Sequence, residues 1–188
     1  MNHQQTTVPA GSQNHTLTGF VNYATPSARI LILGSMPGNR SLQENEYYAH
    51  PRNVFWDILE NLFDVNRSAA YQCRIEQLTA LDIALWDVIK QCQRKGSLDT
   101  DITASSVVPN DFRSFYRQYP SIQHVFFNGK KSSDLYRKHV LPILPGEIAP
   151  ITYHTLPSTS PANAAMSFTE KIQRWKLIKD LHEKREKS

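Results

Sequence analysis

The chain has 188 residues, 40% of them hydrophobic, which is enough for the core of one domain but short for two. Two cysteines exclude a disulfide framework and a four-thiolate iron–sulfur cluster, and the seven histidines show no zinc-ligand spacing, so we expect no metal and no cofactor. No run approaches the roughly 18 to 20 apolar residues that span a bilayer, and the polar start lacks a signal-peptide pattern, so we expect a cytoplasmic protein with no membrane partner. The net charge of +4 is compatible with a polyanionic partner.

The beginning of the sequence has the composition of a flexible segment. Residues 1–27 are rich in Gln, Asn, Thr, Ser and Pro, and such segments bury too little apolar surface to fold by themselves. We therefore predict a flexible N-terminal segment over residues 1–27 and a single domain over residues 28–188.

Short apolar runs recur along this domain and predict strands. They cover residues 29–33, 84–89, 124–127 and 151–156. Continuous apolar runs of this length are typical of strands that are buried on both faces of a parallel sheet.

Helical patterns separate the predicted strands. Apolar residues recur every three or four positions after Pro51, a second helix is predicted after Pro109, and a third over residues 130–140. The last helix is predicted to begin at Pro161 with Ser160 as its N-cap. This alternation predicts a three-layer α/β/α sandwich with a central, mainly parallel four-stranded sheet. Because such sheets bind ligands at the carboxyl ends of their strands, we expect the loops after the strands to form the functional site.

The loop after the first strand and the segment before the first long helix are candidates for binding a base. The glycines and proline of residues 34–38 allow a ligand to approach the backbone, although a plain tight turn has the same composition. Tyr48 offers a flat face for base stacking, which is worth about 1–3 kcal/mol. His50 and Asn53 follow it, and an asparagine amide both donates and accepts without titrating.

Two further loops are candidates for binding phosphate. Asn128 and Lys130 stand at the start of a predicted helix, where exposed backbone N–H groups and the helix dipole favour anions. Residues 158–160 stand at the predicted start of the last helix and add hydroxyl donors. Either loop alone is equally well explained as a helix cap, but two such loops on one edge point to a phosphodiester backbone.

Four motifs at these loops resemble the uracil-DNA glycosylase superfamily, and most closely its hypoxanthine (deoxyinosine) DNA glycosylase branch. The motifs are Gly34-Ser-Met-Pro-Gly38, Tyr48-Ala-His-Pro-Arg-Asn-Val-Phe-Trp56, Phe127-Asn-Gly-Lys130 and Leu156-Pro-Ser-Thr-Ser-Pro-Ala-Asn163. The resemblance covers about residues 29–175. The second motif is the most specific and also resembles the mismatch-specific uracil-DNA glycosylases, while the third also resembles the thymine-DNA glycosylases.

The resemblance implies a monofunctional DNA glycosylase that flips a deaminated base out of DNA and excises it, with hypoxanthine as the first choice. Met36 replaces the Asn or Asp with which most of the superfamily positions the attacking water. Leu156 replaces a His that serves the uracil enzymes as leaving-group donor. The resemblance therefore assigns catalysis to Asn53, with His50 as an assisting donor whose position a capping or packing role explains equally well.

The remaining site residues follow from the same resemblance. Those implied to bind the base are Gly34, Ser35, Met36, Pro37, Gly38, Tyr48 and Asn128. Those implied to bind the DNA backbone are Lys130, Ser158, Thr159, Ser160 and Asn163. Asp87, at the end of a predicted strand, could face the same cleft but is interpreted as structural. No lysine is placed to form a Schiff base, so we expect no strand cleavage.

The expected partner is double- or single-stranded DNA that contains a damaged base, bound by a monomer in the cytoplasm at the nucleoid. One alternative is a mismatch-specific uracil or thymine glycosylase or an alkylated-base glycosylase, because these share the second and third motifs. A non-catalytic binder of nucleic acid or of a nucleotide is a second alternative. The least favoured is a small hydrolase that uses Ser35, for which no base and orienting acid stand at readable positions.

Overall fold

The computed structural model describes residues 16–144, 146 and 150–186, so residues 1–15 of the segment expected to be flexible lie outside the described part of the chain. In chain order the elements are β1 (Thr16–Thr18), β2 (Ile30–Gly34), α1 (Asn39–Glu44), α2 (Phe55–Phe63), α3 (Tyr71–Ala80), β3 (Ile83–Asp87), β4 (Ile89–Gln93), β5 (Val108–Pro109), α4 (Phe112–Gln118), β6 (His124–Asn128), α5 (Lys130–His139), β7 (Thr152–Leu156) and α6 (Phe168–Glu186). Short 3-10 helices cover residues 99–101, 104–106 and 141–143.

Four parallel strands form the central sheet in the order β3-β2-β6-β7. Every residue of β2 and of β3 is buried, which explains why both read as continuous apolar runs rather than as alternating patterns. Parallel neighbours need crossover connections, and the intervening helices supply them. The predicted α/β/α sandwich with a parallel four-stranded sheet is therefore confirmed.

Each face of the sheet carries its own hydrophobic cluster. On one face Leu31 packs in a cluster with Phe112 of α4 and Tyr136 of α5. On the other face Ile32 belongs to a cluster that includes Trp175 of α6 and residues of α2. Successive side chains of a strand point to opposite faces, so one short apolar strand serves both layers and its carboxyl end is held from both sides.

The apolar run over residues 84–89, predicted as one strand, divides at Val88. Its first part is β3 in the parallel sheet, whereas its end belongs to β4, which pairs antiparallel with β1 and β5 in a separate three-stranded sheet. The Val88 N–H donates to the carbonyl oxygen of Gly34, at an N···O distance of 3.0 Å. Apolar character does not show where a chain changes its strand partner, so the sequence pattern merges the two strands.

α1 and α3 have no counterpart among the predicted helices. α3 buries only Ile75 and Leu78, so its sequence shows little of the three-and-four spacing that reveals an amphipathic helix. α1 has six residues, too few for a period to be recognised.

Part of the segment expected to be flexible is paired with the rest of the fold. β1 lies antiparallel to β4, and Tyr23 forms an isolated bridge with Leu85 of the parallel sheet. Ordered structure thus begins earlier than residue 28, because the edge of β4 offers backbone partners that the polar composition of this segment does not reveal.

The last helix begins at Phe168 and not at Pro161, so the prediction of Ser160 as its N-cap is wrong. Ser167 precedes the helix and forms a capping box with Glu170. The Ser167 N–H donates to Oε2 of Glu170 at 2.8 Å, and the Glu170 N–H donates to Oγ of Ser167 at 3.3 Å. This reciprocal pair satisfies two backbone donors, which a Ser-Pro start at residue 160 would not do.

Two further properties of the described residues bear on the function. Within residues 16–144 and 150–186, no helix is both long and apolar enough to cross a bilayer. Cys73 and Cys92 are both free thiols.

Candidate active site at the carboxyl ends of the parallel strands

The carboxyl ends of the parallel strands bring the predicted loops to one edge of the sheet. Gly34 at the end of β2 pairs with Asp87 at the end of β3, and Asn128 at the end of β6 pairs with Leu156 at the end of β7. The loops that follow these strands therefore leave the sheet side by side. We call this edge the rim, and it comprises residues 34–38, 47–54, 128–130 and 156–163.

Direct contacts join the segment before α2 to the other loops of the rim. The Val54 N–H donates to the carbonyl oxygen of Thr159 at 3.2 Å. A Cβ atom at Gly34 would lie 3.1 Å from Oη of Tyr48. The segment over residues 47–54 thus lies between the loop after β2 and the loop after β7, and the four predicted loops form one site.

The loop over residues 34–38 is fixed by partners outside the rim. The Ser35 hydroxyl donates to Oδ1 of Asp99 at 2.7 Å, and Nη2 of Arg94 donates to the carbonyl oxygen of Pro37 at 2.7 Å. The Met36 side chain is buried within the hydrophobic cluster on the α4 and α5 face. The side chains of Ser35 and Met36 and four of the five carbonyl oxygens of residues 34–38 already have partners, so it is chiefly the backbone N–H groups of this loop that remain for a ligand.

Tyr48 occupies a strained backbone position. Its φ is 58°, in the left-handed region that bulky residues rarely adopt and that is concentrated at functional sites. One face of its ring stacks on Phe55, with the ring centroids 4.0 Å apart. Only the opposite face of Tyr48 is therefore left for a base.

Asn53 and His50 form a tight turn at the start of α2. Oδ1 of Asn53 accepts from the Phe55 N–H at 3.1 Å, and Nδ1 of His50 accepts from the Arg52 N–H at 3.1 Å. The acceptor end of the Asn53 amide is therefore used by the helix, which leaves Nδ2 as its donor end. The His50 ring therefore caps this turn through Nδ1, and Nε2 is the nitrogen that remains for another contact.

The Asn128 side chain joins two loops of the rim. Its Nδ2 donates to Oγ1 of Thr159 at 2.9 Å, and its Oδ1 accepts from the Thr159 N–H at 2.9 Å. Thr159 is only 1% exposed, so its hydroxyl holds the two loops together rather than facing a DNA phosphate. The amide still has a second N–H and a second oxygen lone pair, so Asn128 can contact a base while it holds Thr159.

Residues 158–163 form a turn and not the first turn of a helix. Oγ of Ser158 accepts from the Ser160 N–H, and Oγ of Ser160 accepts from the Ala162 N–H, both at 3.2 Å. Nδ2 of Asn163 donates to the carbonyl oxygen of Ser158 at 3.1 Å. Since α6 begins well after this turn, the expected contribution of its dipole to anion binding here does not apply.

A cleft of about 540 Å³ opens beside this turn. Among the residues that line it are Lys130, Ser158, Asn163 and Arg174. The ammonium group of Lys130 pairs with Asp134 of α5 at 2.7 Å, but its side chain is 84% exposed, so solvent competes for that pair. The cleft therefore combines two cationic side chains with hydroxyl and amide groups, a set that suits phosphate.

Arg174 is absent from the predicted site because its position depends on where α6 begins. Two buried residues of α6 anchor the helix against the rim. Nζ of Lys171 donates to the carbonyl oxygen of Asn163, and Nε1 of Trp175 donates to that of Pro157, both at 2.9 Å. With this face fixed, the neighbouring Arg174 reaches the cleft.

Asp87 differs most from its sequence interpretation. It is 3% exposed, and in the described part of the chain its Oδ2 atom has no hydrogen-bond partner. Burial raises the pKa of Asp87 to about 8, the nearby Asp99 carboxylate raises it too, and the Tyr47 hydroxyl and Arg94 guanidinium act in the opposite direction. A buried acid with such a pKa at the rim is a feature of functional sites, and only three-dimensional burial distinguishes it from an ordinary strand-end aspartate.

The chain is similar to proteins of a known family. Residues 21–182 match the family described as the Uracil DNA glycosylase superfamily. A protein of Methanosarcina acetivorans named hypoxanthine DNA glycosylase is 34% identical over 163 residues, which cover 85% of this chain and 96% of the relative. A protein of Methanosarcina barkeri with the same name is 39% identical over 117 residues, which cover 62% of this chain and 73% of the relative.

The fold is similar to a solved structure as well. The solution NMR structure of a protein from Methanosarcina acetivorans, described there as a candidate uracil DNA glycosylase, matches with a TM-score of 0.74 and 30% identity over 90% of this chain and 99% of that one. The chain therefore belongs to the uracil DNA glycosylase superfamily. It is a DNA glycosylase by that membership.

Proposed function

We propose that this glycosylase removes hypoxanthine from deoxyinosine in DNA, as a step of base excision repair. The observation that carries the proposal is the convergence of the Tyr48 ring, the donor end of Asn53 and the backbone of residues 34–38 on one rim. The names of the two Methanosarcina relatives support the choice of base. The buried Met36 side chain supports it too, because a thioether cannot position water as a carboxylate or amide does.

In the proposed mechanism the damaged base rotates out of the DNA and stacks on Tyr48, which stabilises it by about 1–3 kcal/mol. The bond between the sugar C1′ and the base then breaks, with positive charge developing on the sugar and negative charge on the base. Nδ2 of Asn53 donates to that developing charge or holds the water. A preorganised donor of this kind contributes about 3 kcal/mol in the transition state.

The cleft beside the turn over residues 158–163 holds the DNA backbone in this proposal. Lys130 and Arg174 supply positive charge, and Ser158 and Asn163 supply polar groups to the same phosphates. The protein acts as a monomer on double- or single-stranded DNA at the nucleoid.

A panel of oligonucleotides tests the choice of base. Strands with inosine, uracil, xanthine or ethenocytosine opposite each normal base are incubated with excess protein and then treated with hot alkali, which cleaves abasic sites. We expect inosine to give the fastest cleavage, and the same strand with adenine in place of inosine is the control. Saturable binding without any product would instead identify a non-catalytic binder.

Uracil is the second candidate substrate, because the solved structure that matches this fold is described as a candidate uracil DNA glycosylase. The same panel separates the two. Faster cleavage at uracil than at inosine would favour this second candidate over the proposed one.

The role of the cleft predicts a change in salt dependence. Replacing Arg174 with Ala should weaken binding to any sequence and reduce the slope of log K against log salt concentration by about one, because one fewer phosphate is neutralised. Binding is measured by fluorescence anisotropy of a labelled duplex across a salt series. Lys176 is exposed on the same helix and pairs with Asp180, so Lys176→Ala serves as the control and should leave the slope unchanged. Equal slopes for Arg174→Ala and the wild type would remove this cleft from DNA binding.

A further inference from the structure

Asp87 lies at the rim, yet the mechanism above gives it no role. It is the last residue of β3 and is paired in register with Gly34 of β2. Its buried Oδ2 atom has no hydrogen-bond partner in residues 16–144, 146 and 150–186. The buried hydroxyls of Tyr47 and Tyr48 make no hydrogen bond of good geometry there, and have only weaker polar contacts, Tyr47 with Asp87 and Tyr48 with Asn128. Buried polar groups of a purely structural kind are almost always paired. An unpaired carboxyl oxygen beside two weakly paired hydroxyls therefore points to a ligand that brings the missing partners.

The geometry around Gly34 places the Asp87 carboxyl next to the proposed base position. A Cβ atom at Gly34 would collide with Oδ1 of Asp87 and would lie 3.1 Å from Oη of Tyr48. Both groups therefore pack over the same glycine. Since the base is proposed to stack on Tyr48, its edge would meet the Asp87 carboxyl.

The surroundings of Asp87 favour its neutral, protonated form. Burial, followed by the Asp99 carboxylate, raises the pKa of Asp87 to about 8, against the opposing effects of Tyr47 and Arg94. Burial also raises the pKa of Tyr47 and of Tyr48 above the ordinary tyrosine value, so neither ionises near neutral pH. At pH 7 the Asp87 carboxyl thus carries a proton that it can donate.

We propose that Asp87 is the acid that protonates the departing purine, a role that rests on the proposed excision of hypoxanthine. As the bond between C1′ and N9 breaks, its electron pair moves into the purine ring, and a ring nitrogen takes the proton from Asp87. Water adds to C1′, and the proton that it releases returns to the Asp87 carboxylate. The base leaves as neutral hypoxanthine, the sugar gains a hydroxyl group, and the enzyme is restored.

The end of β7, on the other side of the rim, offers the leaving group no side-chain acid. Leu156, which ends β7, has no proton to give, so a leaving group must obtain its proton elsewhere. General acid catalysis contributes about 100-fold to 10,000-fold to a rate. Asp87 at the end of β3 supplies that acid from the opposite edge of the sheet.

The test is the pH dependence of single-turnover excision from a deoxyinosine oligonucleotide between pH 5.5 and 9.5. The wild-type rate should fall about tenfold per pH unit above roughly pH 8, as the carboxyl ionises. Asp87→Asn keeps the size and a hydrogen-bond donor but cannot transfer a proton. Its excision rate at pH 7 should therefore be at least about 100-fold below that of the wild type, and the rate should not fall further at alkaline pH.

Two further variants separate Asp87 from its neighbours. Asp99→Asn removes the carboxylate that helps to raise the Asp87 pKa, so the alkaline fall should remain but begin at lower pH. Asp64 is exposed with a φ of 57°, a conformation that asparagine tolerates, so Asp64→Asn is the matched control and should behave as the wild type. Thermal melting checks the fold of each variant.

The outcomes distinguish this inference from the function on which it rests. A wild-type rate that stays constant up to pH 9.5, or an Asp87→Asn variant with the wild-type rate, would overturn the role of Asp87 and leave hypoxanthine excision standing. No excision by the wild type at any pH would overturn the proposed function itself. If Asp87→Asn does not fold, the wild-type profile and the Asp99→Asn shift still decide the matter.

Discussion

Replacing Asn53 with Ala or with Asp should lower single-turnover excision about 100-fold or more, the effect of removing one preorganised donor, while DNA binding largely survives. The two variants differ in what they keep. Asp retains the oxygen that accepts from the Phe55 N–H at the start of α2, and a carboxylate near a helix N-terminus is favourable, but it has no amide donor. Ala loses both ends. Single-turnover rates and melting curves of both variants are the measurements.

The comparison separates catalysis from capping. If Asn53 only caps α2, Asp should restore both stability and excision, and the proposed donor role would then be wrong. Asn66 provides the matched control, because its Oδ1 accepts from the Ser68 N–H at 3.0 Å in the same local pattern on the exposed surface. Asn66→Ala is expected to cost about 0.5–2 kcal/mol of stability, like the loss of other such side-chain caps, and to leave excision unchanged.

The parallel sheet could be predicted from sequence because its strands are short runs that must be buried on both faces. β2 has no polar side chain at all, and the turn residues that follow it have no place inside a strand. The convergence of the loops then follows from parallel topology alone. The antiparallel sheet could not be predicted in the same way, because β1 and β4 are partly exposed strands whose pairing depends on contacts distant in sequence.

The candidate site was predictable where it depends on local residue type and not where it depends on burial. Tyr48 and Asn53 stand in one short motif, so their neighbourhood is visible in the sequence. Thr159 faces away from DNA because it is buried against Asn128, and the pKa of Asp87 is raised because the layers around β3 bury it. Burial is a property of the assembled core, and no local pattern around either residue reports it.

At Gly34, the addition of a single methyl group should strongly reduce both excision and stability. Gly34→Ala is expected to reduce excision at least about 100-fold, the cost of displacing reacting groups by about 1 Å, and to cost roughly 1–3 kcal/mol of stability, the range for overpacking a buried position. The added Cβ would collide with Oδ1 of Asp87 and press on Oη of Tyr48. The backbone has little freedom to yield, because Gly34 and Asp87 are paired in register within a buried sheet. Chemical denaturation and single-turnover kinetics measure the two effects.

Two comparisons attribute the Gly34→Ala effect to this contact. Gly38 lies in the same loop, and a Cβ there would meet no atom of the described residues within 4 Å, so Gly38→Ala should fold with at least wild-type stability. In the double variant Gly34→Ala/Asp87→Ala the collision with the carboxyl is gone, so the two stability losses should sum to more than the loss in the double variant. Excision should stay low in that variant, because relief of the collision also removes the proton donor. Recovery of excision together with stability would show that the carboxyl only obstructs and does not act.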